Sequence, residues 1–223
     1  MGKGRVLITG AGGFIGSYLV REFTEAGWSV RATDVSHANL THCTEAGADT
    51  IASDLTKPAS LEKAVEGCDT VVHCAAIFNF GVKWSTLLKI NVEGTTFMAR
   101  AAAAKGVKRF VELSSVGSYG RPVEIPCTED CSKRPRNPYE RSKWEGEKAA
   151  FAFDHQNGMR VTALRPTIVY GPGSKYGHAM YLGLFTLLRQ SGKDRIPVFR
   201  GGPWGHHVHV VDVARAALLL AEH

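Results

Sequence analysis

The stretch Val6-Leu7-Ile8-Thr9-Gly10-Ala11-Gly12-Gly13-Phe14-Ile15-Gly16 constrains the fold more than any other part of the chain. A short run of branched and leucine side chains passes through a cluster of glycines into Phe14-Ile15-Gly16-Ser17-Tyr18-Leu19-Val20. That is the order of a buried strand, a tight turn and the start of a helix. Glycine allows positive φ and, having no Cβ, lets a bulky group approach the backbone. The first N–H groups of the helix and the positive end of its dipole then point at any anion lying over the turn, and a pyrophosphate suits such a place. The spacing Gly10-x-x-Gly13-x-x-Gly16 differs from the G-x-G-x-x-G dinucleotide fingerprint, and a glycine turn by itself also serves as a plain strand-to-helix connection. A second observation favours the cofactor reading. The run Ser29–Asp34 predicts the next strand and ends in an acid eighteen residues after Gly16, near the spacing of about 20 at which a carboxylate accepts from a ribose 2′-hydroxyl. No Lys or Arg follows in Val35-Ser36-His37 to receive a 2′-phosphate, so the expected cofactor is NAD rather than NADP.

Strand and helix patterns alternate through the rest of the chain. Further strands are predicted at 49–53, 70–74, 109–114 and 160–164, and helices at 14–26, 60–66, 83–104 and 138–153. The strands are continuous apolar runs, as expected where both faces of a parallel sheet are covered. The rhythm predicts a doubly wound α/β sheet of Rossmann type with helices on both faces. Asp54, just past the third strand, is placed either to meet an adenine amine or to cap the helix beginning near Pro58. Ala75 and Ala76 are small residues at the end of the fourth strand, where a ligand crosses such sheets. His73 reads as a packed, hydrogen-bonded side chain, and Asn91, inside a long helix, must find a partner.

The chemistry is carried by two segments. In one, the fifth strand delivers Ser114 and Ser115 at its carboxyl end. In the other, Tyr139-Glu140-Arg141-Ser142-Lys143 places Tyr139 and Lys143 on one helix face. A free phenol titrates near 10, too high for a base near neutrality. A lysine ammonium and an oxidised nicotinamide nearby favour the phenolate. Tyr139 could then take a proton from a substrate hydroxyl while hydride leaves, with Ser115 bonded to the same oxygen.

Composition excludes several other classes. The net charge is +6, but Lys and Arg are scattered, with the densest group at Lys133-Arg134-Pro135-Arg136 and no interleaved aromatics. A basic surface that attracts anionic cofactors is expected, and no nucleic-acid partner. The five cysteines show no paired zinc-type spacing, and Cys127 and Cys131 read as free thiols of a reducing compartment. The C-terminal His206, His207 and His209 have no acid or thiol at useful spacing, so no metal is expected. With no signal peptide and no apolar run of membrane length, the expected location is cytoplasmic.

At these residues the sequence resembles the extended short-chain dehydrogenase/reductase family, also called the NAD-dependent epimerase/dehydratase family. The resemblance rests on Thr9-Gly10-x-x-Gly13-x-x-Gly16, Asp34, Asp54-Leu55, His73-x-Ala75-Ala76, Asn91-Val92-x-Gly94-Thr95, Ser114-Ser115-x-x-x-Tyr119-Gly120 and Tyr139-x-x-Ser142-Lys143. Leu164–Gly173 and His209–Ala214 add to it. It implies a catalytic set of Ser115, Tyr139 and Lys143. It also implies cofactor contacts from Gly10, Gly12, Gly13, Phe14, Ile15, Gly16, Asp34, Asp54, Leu55, Ala75, Ala76, Asn91, Ser114, Tyr139, Lys143 and Pro166. An NAD-binding domain over residues 1–165 and a substrate-binding region over 166–223 follow, the latter incomplete because members usually continue past the Asp212-Val213-Ala214 helix. The segment 162–174 and Ala75–Gly81 look most like the 3β-hydroxysteroid dehydrogenase branch. Ile168 stands where nucleotide-sugar enzymes commonly carry Asn, and Phe78, Phe80, Trp84 and Tyr119 are candidates either for an apolar wall or for plain core packing. The expected substrate is therefore a hydrophobic secondary alcohol. The alternatives are a nucleotide-sugar epimerase or dehydratase and an NAD(P)-sensing protein without turnover. The apolar helices 91–104 and 138–153 further imply a homodimer that pairs them across a two-fold axis.

Overall fold

Each apolar run expected to be a strand forms one, and hydrogen bonding aligns them in parallel. A computed structural model describes residues 3–174, 190, 192 and 205–223. Its main sheet comprises β1 (Arg5–Thr9), β2 (Ser29–Asp34), β3 (Asp49–Ala52), β4 (Thr70–His73), β5 (Arg109–Leu113) and β6 (Arg160–Leu164). The strand order is β3-β2-β1-β4-β5-β6, that of a dinucleotide-binding fold, with the order reversing between β1 and β4. Ligands of such sheets lie outside the carboxyl ends of the strands at that reversal. Thr9, His73 and their following residues therefore border the site.

The two faces are covered by different helices, because every strand between turns is apolar on both sides. On one face α1 (Phe14–Glu25), α2 (Thr41–Glu45) and α7 (Val210–Glu222) enclose Ile8, Val30, Ala32, Val72 and Val111 with Leu19, Phe23, Ala214 and Ala217. On the other α3 (Pro58–Val65), α5 (Gly94–Ala104) and α6 (Pro138–Phe151) enclose Leu7, Val71, Phe110 and Val161 with Leu61, Met98, Ala102 and Ala150. The alanine run at 101–104 fits this second layer, where Ala101, Ala102 and Ala103 are buried. The short α2, preceded by a 3-10 turn at His37–Leu40, was not expected.

The expected long helix at 83–104 is present but not uniform. α4 (Trp84–Leu87) passes through a π-helical stretch, Leu88–Glu93, into α5. Thr95 Oγ1 donates to Asn91 O at 2.8 Å within this stretch. A Cβ on Gly146 of α6 would lie 2.5 Å from the same carbonyl oxygen. The bulged helix and α6 thus meet backbone to backbone, which only glycine at 146 permits. Such bulges recur at functional sites, and this one carries Asn91 beneath the helix of Tyr139 and Lys143.

Beyond β6 the chain forms a two-stranded parallel sheet from β7 (Ile168–Tyr170) and β8 (His207–His209), then α7. α7 packs Ala214, Ala217 and Ala221 into the α1 layer, so part of the segment expected to serve the substrate completes the sheet's cover. Residues 175–189, 191 and 193–204 of that region lie outside the described residues. No helix among the described residues is long and apolar enough to cross a membrane.

Candidate active site

The β1–α1 turn is shaped by close approaches that exclude side chains. Gly10 has φ +65°, and a Cβ there would sit 2.7 Å from Ala75 Cα at the end of β4. A Cβ on Gly16 would lie 2.0 Å from Gly10 O, so the helix can fold back on the turn only with glycine at that position. Gly13 is the N-cap of α1, with no side chain capping the helix and no acid in its first turn. The free N–H groups of that first turn remain available to an anion. Asp34 stands at the lip of this turn. Its Oδ1 accepts from Val35 N and from Asn39 Nδ2, both at 2.8 Å, and its Oδ2 accepts from Gly12 N at 3.2 Å. Oδ2 keeps capacity for a further donor, as a ribose hydroxyl requires. An uncapped helix end beside a fixed carboxylate fits NAD. Phe14 and Tyr18 lean toward the segment after β7, where Tyr18 Oη donates to Pro172 O at 3.1 Å.

Asp54 does not cap the helix that follows it. Lys57 is the N-cap of α3, so the helix-cap reading is corrected: Asp54 Oδ1 accepts from Thr56 N and Thr56 Oγ1 at 2.8 Å in a local turn. Those bonds hold its carboxyl below the usual range. Leu55 packs against Gly94, where a Cβ would fall 2.8 Å from Leu55 Cβ.

Beneath the strand ends runs a row of buried polar side chains, Thr9, His73 and Glu112, on three adjacent strands in register. Its hydrogen bonds admit one proton arrangement. Thr95 Oγ1 spends its hydrogen on Asn91 O, so it must accept from His73 Nε2 at 3.1 Å. His73 Nδ1 is then an acceptor for Thr9 Oγ1 at 2.8 Å, while Thr9 Oγ1 accepts from Cys74 N and Ala75 N, both at 3.2 Å. Burial lowers the His73 pKa to about 4, which keeps the imidazole neutral and the network intact near pH 7. His73 is thus the packed, hydrogen-bonded residue that was expected. Asn91, expected among the cofactor contacts, is buried and bonded to the loop after β4 and to α6. Its Nδ2 donates to Ile77 O at 3.1 Å and Ser142 Oγ at 2.9 Å, and its Oδ1 accepts from Ile77 N at 2.8 Å. It therefore clamps the loop after β4 to α6.

The start of α6 is set by Asn137, whose side chain accepts from Glu140 N at 2.9 Å, and by Pro138 in the first turn. Glu140 Oε2 in turn accepts from Arg136 N at 2.7 Å. This capped first turn holds Tyr139 in place, half-buried, with Lys143 buried one turn further on. Burial pushes the Tyr139 phenol above its ordinary value, and the Lys143 ammonium opposes that rise. Lys143 Nζ itself donates to Glu112 Oε1 at 3.0 Å in a pair with almost no exposure. Ser115 Oγ accepts from Gly117 N at 3.1 Å, and among the described residues its own hydrogen has no acceptor. Ser114 is buried, and its Oγ has no partner among the described residues. Pro166 contributes its carbonyl to Val116 N at 3.1 Å, tying the segment before β7 to the serine turn.

Of the four candidate wall residues, two stand beside Tyr139. Phe78 and Phe80 meet the Tyr139 ring edge to face at centroid distances of 4.8 and 5.6 Å, and remain 41% and 62% exposed. Trp84 lies under the Arg141 guanidinium at 4.3 Å, in a groove with Pro135 and Pro138. Tyr119 is buried, contrary to a role on the wall, and its hydroxyl accepts from Arg165 Nη1 at 2.7 Å. Arg165 is held in turn by Glu147 at 2.9 and 2.5 Å. Glu112 and Asn39 were given no role in the sequence. An acid inside the apolar run Phe110-Val111-Glu112-Leu113 was the available signal for the first. Nothing comparable marks Asn39. His209 caps α7 by accepting from Val211 N at 3.4 Å, and the Tyr170 ring packs against His209.

Comparison with known proteins agrees with this geometry. Residues 6–223 match the profile of the NAD dependent epimerase/dehydratase family. The chain is 33% identical over 187 residues to a UDP-glucose 4-epimerase of Vibrio cholerae, covering 80% of this chain and 56% of that protein. It is 36% identical over 193 residues to a dihydroflavonol 4-reductase of Zea mays, covering 76% of this chain and 54% of that protein. The chain thus spans just over half the length of these relatives. Among solved structures, MoeE5 in complex with UDP-glucose and NAD superposes with a TM-score of 0.79 at 32% identity, covering 98% of this chain and 72% of that one. These relatives carry the family without singling out its steroid dehydrogenase branch.

Proposed function

Because the chain belongs to the NAD-dependent epimerase/dehydratase family, we propose that it interconverts a secondary alcohol and its ketone on a hydrophobic small molecule, with Tyr139 as the proton carrier. NAD, when bound, supplies the hydride acceptor or donor. The uncapped first turn of α1 with Gly12 and Gly13 would hold its pyrophosphate, Asp34 its adenosine ribose, and Lys143 its nicotinamide ribose. Tyr139 Oη removes the substrate hydroxyl proton in one direction and returns it in the other. The Lys143 ammonium favours the phenolate, in opposition to the effect of burial. Ser115 donates its free hydroxyl hydrogen to the same substrate oxygen and stabilises it while carbonyl character grows.

The observation that carries the substrate class is the pair Phe78 and Phe80, exposed and edge-on to Tyr139. An aromatic wall beside the reacting hydroxyl favours an apolar ring system. Exposed Ile168 also offers a diphosphate no hydrogen bond. The likeness to a relative named as a dihydroflavonol 4-reductase agrees with this reading. A nucleotide sugar is the second reading, favoured by the likeness to a UDP-glucose 4-epimerase. The test incubates the full chain with NAD and either cyclic and aromatic secondary alcohols or UDP-glucose, following nicotinamide reduction and sugar epimerisation. Reduction with the alcohols supports the proposal. Epimerisation of UDP-glucose without net reduction replaces it with the second reading. NAD binding with neither reaction, in a protein whose substrate-binding region is complete, leaves a sensing protein.

A further inference from the structure

Glu112 lies at the end of β5 on the face that α6 covers, wholly without exposure. Its Oε1 accepts from Lys143 Nζ at 3.0 Å, and its Oε2 has no partner among the described residues. An unsatisfied buried carboxylate oxygen costs stability, and a buried pair is weak support for a fold compared with apolar packing. One row back along the strands this face is filled by Phe110, Val71 and Leu7, so the apolar core ends before the row of Thr9, His73 and Glu112. Glu112 touches the one cation on which the phenolate depends.

The other titratable groups around the pair leave Glu112 as the effective counter-charge. On β4, His73 is held neutral, with a pKa of about 4, and burial pushes the adjacent Cys74 thiol up to about 12. On α6, Glu140 is already engaged by the Arg136 guanidinium at 2.8 Å and by Arg136 N. The π-helical stretch and α5 contribute Asn91 and Thr95, which do not titrate. Two groups therefore compete for the Lys143 ammonium: the carboxylate of Glu112, already bonded to it, and the phenol of Tyr139.

We propose that Glu112 is a positioning residue that divides the Lys143 ammonium between itself and Tyr139, and so sets the pH at which Tyr139 can accept a proton. The inference rests on Tyr139 being the proton carrier. A carboxylate here keeps Lys143 charged despite burial, while its own negative charge opposes ionisation of the phenol. Neutralising Glu112 removes a negative charge from beside both groups, so the Tyr139–Lys143 pair gives up its first proton at lower pH. That proton comes from the phenol, because phenolate and ammonium then neutralise one another in the buried site.

The test is a phenolate absorbance titration of the cofactor-free full chain, with the Tyr139→Phe titration subtracted to isolate this residue. In Glu112→Gln the Tyr139 transition moves down by about one pH unit or more, roughly tenfold more phenolate at a given pH. Glu112→Asp, which keeps the charge, stays near the unsubstituted protein and so separates charge from packing. An unchanged circular dichroism spectrum and a cooperative thermal transition confirm that each variant is folded. A transition in Glu112→Gln that stays in place or moves up overturns the proposal. So does an Asp variant that titrates like the Gln variant. Because the titration uses no substrate, it separates two failures. A downward shift in a protein that turns over nothing refutes the proposed reaction alone, whereas turnover with an unmoved transition refutes the role of Glu112 alone.

Discussion

Gly146→Ala probes how closely α6 must sit. The added Cβ would lie 2.5 Å from Asn91 O, a backbone atom in the π-helical stretch. Ordinary van der Waals contact is about 3.5–4.0 Å, so α6 must move by about 1 Å or the bulge must shift. Neither side can yield by rotating a side chain. Overpacking of this kind costs about 1–3 kcal/mol, and for a domain of this size each kcal/mol lowers Tm by about 2–4 °C. The displaced helix carries Tyr139 and Lys143 but not the glycine turn, so turnover suffers more than cofactor binding. A misplacement of about 1 Å costs on the order of 10²-fold in rate. The assays are thermal unfolding, NAD calorimetry, and turnover on the best substrate found. Lys148→Ala, on the exposed side of the same helix, serves as the control and leaves turnover unchanged. Tm and turnover both unaltered in Gly146→Ala would refute the claim that the bulge and α6 are locked backbone to backbone.

Asp34→Ala removes the acceptor fixed by Gly12 and Asn39. Bonds to a charged group are worth about 1.5–3 kcal/mol, so NAD affinity should fall by roughly tenfold or more and the preference over NADP should narrow, as calorimetry with both nucleotides would reveal. His73 titrates near 6.5 when unfolded but about 4 when folded, so the unfolded chain binds more protons between these values. Its contribution to stability is complete above about pH 6.5 and is lost at about 1.4 kcal/mol per pH unit as pH falls toward 4. Urea unfolding at pH 7 and pH 5 should show this slope flattened in His73→Gln. The α5 and α6 helices are proposed to pair two copies of the chain, with half-exposed Phe151 near the contact. Sedimentation should then give a dimer mass, and a monomer mass at all concentrations would exclude it.

The sheet was readable in the sequence because burial on both faces makes strands into apolar runs, whose ends the glycines and Asp34 marked. Tyr139 and Lys143 were readable because helical spacing alone puts them on one face. The π-helical stretch was not, since a bulge alters the helical period by one residue and leaves the apolar pattern intact. Glu112 was visible as an acid in an apolar strand, but its partner lies 31 residues further along and only the crossover to α6 brings them together. For Tyr119 the sequence left wall and core readings open, and burial selects the core one. Its partner Arg165 follows β6, and Glu147 comes from α6. Asp54 departed from the helix-cap expectation because Thr56, two residues on, bonds its carboxylate locally.

The most direct test of the account is the kinetics of Tyr139→Phe on the better substrate, beside its NAD affinity. The substitution removes one hydroxyl and leaves the ring between Phe78, Phe80 and the helix. The account predicts NAD affinity nearly unchanged and turnover reduced by roughly 10²–10⁴-fold, the contribution of a positioned proton carrier. Lys143→Met should match that loss and also weaken NAD binding, and Ser115→Ala should be milder. Full activity in Tyr139→Phe would contradict the account.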